Sequence, residues 1–181
     1  MSLLHLCARA AGLCVALALA SPASAHVTLD VPQAAIGGGY KAVFRVPHGC
    51  QGSATVALRV QIPEGVIGVK PQPKPGWQIS TVSGDYQQAH GFYGGVRLRS
   101  GVTELAWRGG PLPDGYYDEF VFMGYLSDQL KPGSTLYFPV VQECEKGVMR
   151  WIDIPDATTP AADDHSDTPA VPLKLLPAAT R

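Results

Sequence analysis

Ala54-Thr55-Val56-Ala57-Leu58-Arg59-Val60-Gln61-Ile62 is the stretch that decides the fold. Val56, Leu58, Val60 and Ile62 recur at every second position, which puts them on one face of a β-strand. Pro63-Glu64-Gly65 then breaks the chain, as turn residues do. Upstream, Tyr40 to Val46 alternates in the same way and stops at Pro47-His48-Gly49. Before it, Val27, Leu29 and Val31 alternate with polar neighbours. Downstream, Lys70 to Gly76 reads as an extended connection, Trp77 to Val82 as a strand, and Gly91 to Leu98 is ambiguous. Val102 to Arg108 alternates around Val102, Leu105 and Trp107. Pro111-Leu112-Pro113-Asp114-Gly115 is a strong turn signal. Asp118 to Leu126, Thr135 to Val141 and Trp151 to Ile154 supply the remaining strands. No segment sustains a helical period. About seven to nine short strands with turns at this spacing predict an all-β fold, an antiparallel β-sandwich of immunoglobulin-like Greek-key type.

The two ends read differently from this middle. Met1 to Ala25 has a polar start with Arg9, an apolar run and then Ser21-Pro22-Ala23-Ser24-Ala25. Ala23 and Ala25 form an A-x-A cleavage signature, so residues 1–25 are expected to be a secretory signal peptide and His26 the first mature residue. The run is about 11 residues long, short of the about 20 that span a bilayer. An exported, periplasmic protein without a membrane span in its mature form is the expectation. The domain is expected to cover 26–155. Residues 156–181 read as a linker and tail, in which Val171 to Leu176 is apolar enough to dock back.

Charge excludes one class of partner. The chain has 14 basic and 15 acidic residues in 181. With no basic stripe, nucleic acid is not expected. Two of four cysteines leave with the signal. Cys50 and Cys144, an even pair in an oxidising compartment, are expected to form a disulfide. It would close a loop of about 95 residues, contributing roughly 4–5 kcal/mol in the chain-entropy model. The rival is a cysteine thiolate in a blue-copper site, which needs two histidines nearby. The run Gln142-Glu143-Cys144-Glu145-Lys146 has none after it in the core.

Cleavage before His26 would create an unusual ligand. A first-residue histidine offers both an α-amine and the imidazole Nδ1 to one metal ion. Both kinds of group titrate near neutrality, so freeing them of protons costs little. Nitrogen donors in a tetragonal arrangement suit Cu(II).

Several motifs carry a resemblance. Ala25-His26-Val27-Thr28-Leu29, Pro47-His48-Gly49-Cys50-Gln51-Gly52-Ser53-Ala54-Thr55, Pro75-Gly76-Trp77, Leu112 to Phe120, Thr135 to Glu145 and Trp151 resemble the YcnI-like family of exported bacterial domains. The likeness runs from about His26 to Trp151. It implies a cupredoxin-like sandwich with a Cu(II) site built as a brace around a single histidine. In that scheme His26 gives amine and imidazole, Glu119 gives oxygen and Trp151 lies beside the metal. Asp118 and Glu104 stay open as alternatives to Glu119. His48 and His90 read as exposed turn residues, His165 as part of the solvated tail, and Met123 as core. The implied function is copper handling, by sequestration or by delivery to a copper chaperone, transporter or cuproenzyme, with no catalysis. A copper-dependent oxidative enzyme and a metal-free structural or adhesive sandwich are the alternatives. No Met-rich or His-rich copper-loading tract is present, and the lack of free thiolate and methionine clusters favours Cu(II) over Cu(I).

Overall fold

The computed structural model describes residues 26–155 and 168–179. The signal-peptide expectation, His165 and much of the tail lie outside the described residues. Twelve strands follow in chain order: β1 (Thr28–Leu29), β2 (Gln33–Ala35), β3 (Gly38–Val46), β4 (Thr55–Gln61), β5 (Val66–Pro71), β6 (Trp77–Gly91), β7 (Arg97–Leu112), β8 (Asp118–Leu126), β9 (Thr135–Phe138), β10 (Val140–Cys144), β11 (Val148–Trp151) and β12 (Val171–Leu176). They form a β-sandwich. One sheet runs β1-β3-β8-β5, a second β11-β10-β4-β7-β6, and a three-stranded sheet β2-β12-β9. All pairings are antiparallel except β12 with β2.

The alternation expected in Ala54 to Ile62 holds from Leu58 to Ile62, but Val56 is only partly covered, because the ladder slips between Thr55 and Ala57 and those two are buried instead. Leu58 and Val60 are fully buried in β4. They join Phe44, Trp107, Phe120, Phe122 and Phe138 in one core. Phe44 and Phe138 meet edge to face with ring centroids 5.5 Å apart, an arrangement that aromatic quadrupoles favour. Burial of each such side chain contributes about 1.5–3 kcal/mol. The β3–β8 ladder is unbroken from Gly38↔Leu126 to Val46↔Asp118, so residue pairs at its ends are fixed in register.

Several boundaries depart from the sequence reading. The expected connection Lys70 to Gly76 begins inside β5, where Gly68 stands at a register shift between Ile67 and Lys70. Its φ is +60°, and a Cβ there would meet the Phe92 ring at 2.7 Å. β6 and β7 form a long hairpin, far beyond Val82 and Val102, because each strand pairs mainly with the other rather than with a buried face. Thr135 to Val141 is two strands. Pro139 has no N–H for a ladder, and the chain passes there from the β12 partner β9 to the β4 partner β10. Val31 and Met123 are about half exposed, at 50% and 48%. Met123 is therefore not core: in β8 it points away from the face that buries Phe120 and Phe122.

The expected domain end at 155 falls short. β12 pairs with β2 and β9, and Leu173 and Leu175 are fully buried. Their period-two spacing in a stretch bounded by proline is a strand signal. The tail therefore returns to complete the core.

The disulfide stands. Cys50 and Cys144 are joined with Cα atoms 6.0 Å apart. Buried Gln142 reinforces this corner by donating to the His48 carbonyl at 2.7 Å and to Thr55 Oγ1 at 2.8 Å.

Candidate functional site

The register of three strands builds one polar row. Thr28 of β1 lies opposite Arg45 of β3, and Arg45 lies opposite Glu119 of β8. Cross-strand partners share a face, so these side chains project together. His26, two residues before Thr28, continues the row. The result is an open cleft of about 440 Å³ lined by His26, Thr28, Arg45, Pro47, Tyr117 and Glu119.

Arg45 holds the row together. Its guanidinium pairs with Asp30 and, through Nε, with Glu119 Oε1 at 3.5 Å. These side chains are 38–48% exposed, so water screens the attraction. Asp118 faces the other way, as the neighbour of Glu119 in a strand must. It accepts the Glu119 backbone N–H at 2.8 Å and pairs with Lys74 at 2.7 Å. Lys74 also donates to the Glu119 carbonyl at 3.0 Å. Glu104 lines a separate cleft with Arg59, Gln61 and Ile152. Of the three acidic candidates, Glu119 is the one in the His26 cleft.

Trp151 reaches the same place from the second sheet. β1 and β11 are edge strands of their sheets, and the His26 and Trp151 rings lie 4.8 Å apart where those edges meet. Trp151 is 2% exposed, and its indole N–H has no hydrogen-bond partner among the described residues. Beside the row, the Tyr40 hydroxyl donates to the Val31 carbonyl at 2.7 Å. Burial pushes that phenol up from its ordinary pKa, and the charge of Asp30 adds to the push.

The donor set suits a small hard-to-borderline cation only if the terminus is free. Among the described residues, no three His, Cys, Asp or Glu side chains gather as a metal cluster. His26 and Glu119 offer one imidazole and one carboxylate. The amine that cleavage would expose adds a second nitrogen from the same residue. Nitrogen and oxygen donors of this kind fit Cu(II).

The other histidines correct the sequence reading. His90 is 2% exposed rather than solvated. Its Nε2 meets Glu64 Oε1 at 2.5 Å and its Nδ1 meets Ser127 Oγ at 3.0 Å. Ambiguity in Gly91 to Leu98 hid the fact that β6 carries His90 to the sheet edge. His48 is half-buried, its ring Nδ1 donating to the Gly49 carbonyl at 2.5 Å. Arg45 was not singled out by sequence, since only the inter-strand register brings it to the cleft, and Asp30 and Tyr117 join it there from the segments beside β1 and β8.

An immunoglobulin-like β-sandwich with an open cleft at one seam is the class of protein these features define. A family model described as a domain of unknown function, DUF1775, matches residues 26–175. The chain belongs to that family, the YcnI-like family. A crystal structure of an uncharacterized protein from Nocardia farcinica, described as revealing an immunoglobulin-like fold, is similar at 26% identity and a TM-score of 0.59. The likeness covers 83% of this chain and 98% of that one. No curated protein matches the chain. Among the described residues, no helix is long and apolar enough to cross a membrane.

Proposed function

We propose that the protein is exported, is cleaved before His26, and handles copper by binding Cu(II) in the seam cleft. His26 holds the ion through its α-amine and imidazole, Glu119 supplies oxygen, and Trp151 walls the site. The observation that carries this reading is the shared cleft: His26, just before β1, and Glu119 of β8 line one opening, with Trp151 against the His26 ring. The match to the family model begins at residue 26, which supports the cleavage position. The role is sequestration or delivery to another copper protein, without catalysis.

The test is a titration of Cu(II) into a chain that begins at His26, followed by electron paramagnetic resonance. A nitrogen-rich chelate signal at one ion per chain is expected. Glu119→Ala should weaken binding roughly tenfold, as loss of one ligand or its support does in other metal sites, and leave the fold intact. Absence of a specific signal in the cleaved chain overturns the reading.

A further inference from the structure

We propose that Arg45 sets the metal affinity of the cleft by competing for Glu119. The inference rests on the copper reading above and concerns a residue that reading leaves unused. Arg45 is the cation already present in the row. It stands between two carboxylates, Asp30 on one side and Glu119 on the other. A divalent cation that takes Glu119 must displace the guanidinium from it and then tolerate a positive neighbour.

The pairing with Asp30 makes that exchange possible. Arg45 keeps one carboxylate partner when it yields the other. The Arg45–Glu119 contact, from Nε at 3.5 Å, is the longer of the two, and all three side chains are partly exposed. Yielding it therefore costs little. The arrangement gives a site that is occupied by a weak internal cation when empty, and that lets a bound ion go more readily than an uncontested carboxylate would.

The experiment compares Cu(II) affinities in chains beginning at His26, by competition with a chelator of known affinity. Arg45→Gln should tighten binding roughly fivefold, as expected for removal of one exposed ionic competitor. Arg45→Lys keeps the charge and should stay near the parent value. Asp30→Asn removes the alternative partner, leaves Arg45 to Glu119 alone and should weaken binding. In a Glu119→Gln background, Arg45→Gln should lose most of its effect. Electron paramagnetic resonance of the Arg45 and Asp30 variants that retain Glu119 should keep the parent ligand set, which a change of fold would not. If Arg45→Gln binds Cu(II) equally or more weakly while the parent binds normally, Arg45 is not a competitor and this proposal fails. If the parent itself shows no specific Cu(II) binding, the copper reading fails and takes this proposal with it.

Discussion

His26 and His90 stand at opposite seams of the same sandwich, and they are used in opposite ways. His26 lies where edge strands β1 and β11 approach each other. His90 belongs to β6, the far edge of the five-stranded sheet, and its partner Glu64 precedes β5, the far edge of the four-stranded one. Ser127 follows the end of β8, whereas Glu119 is near its start. At the His90 seam both ring nitrogens are engaged by this chain, and the ring is buried. At the other seam the cleft is open. Each seam even carries one tyrosine whose phenol is pushed up. Tyr40 has Asp30 nearby, and Tyr86, packed edge to face on His90, has Glu64. One histidine is thus closed inside the fold with both ring nitrogens held by this chain, and the other lines an open cleft.

The comparison can be broken in four ways. The largest effect concerns the disulfide on the His26 side. Cys50→Ser with Cys144→Ser should lower stability by about 4 kcal/mol, read from denaturant unfolding, because a long loop is released in the unfolded chain. A loss under about 1 kcal/mol would show that this corner does not need its cross-link.

The next concerns the terminus. One extra residue before His26 blocks the amine and ends chelation by a single residue. Cu(II) affinity should fall roughly 100-fold, since the second bond of a chelate forms at high effective concentration. Thermal unfolding should not move. Equal affinity in the extended chain would shift attention from His26 altogether.

At the opposite seam, His90→Ala should cost about 2–3 kcal/mol through lost packing and stranded polar partners. Cu(II) affinity should change by less than about twofold, as distant sites behave independently. A stable variant with altered copper binding would reverse the roles assigned to the two seams.

The smallest effect is alkaline. Burial raises the Tyr86 phenol, and the charge of Glu64 adds to the push. A phenol harder to ionise when folded contributes stability that is full below the unfolded value of about 10 and is lost as pH rises through the folded value. Unfolding measured between about pH 9 and 11 should therefore show a falling limb that Tyr86→Phe flattens. An identical limb in the variant would place the alkaline sensitivity elsewhere, with Tyr40→Phe the next variant to measure.

Alternation made the middle of the fold legible. Asp118 to Leu126 appears with the same limits in both readings because one of its faces is buried and the other partly open. β5 and the outer parts of β6 and β7 were not legible, since their strand character comes from pairing partners far along the chain. The same limit applies to the cleft. His26, Glu119 and Trp151 carry chemistry that a motif can display. Arg45 is an ordinary arginine until register sets it between Thr28 and Glu119. His90 was misjudged because a glycine and aromatic run after it reads as a turn, while its partners Glu64 and Ser127 come from loops beside β5 and β8, far along the chain.

The parallel pairing of β12 with β2 has a consequence for the timing of folding. Lys174 pairs with Gln33, and Leu176 with Ala35, so a ladder near the start of the domain waits for residues made much later in the chain. Contacts of such sequence separation form slowly, because the loop must close before the pairing rewards it. Leu173 and Leu175 fill core positions that stay vacant until then. A chain still emerging from a ribosome lacks the strand that completes its core until β12 has been made. Premature closure is thereby disfavoured, and the nascent chain stays pliable until Leu176 is out.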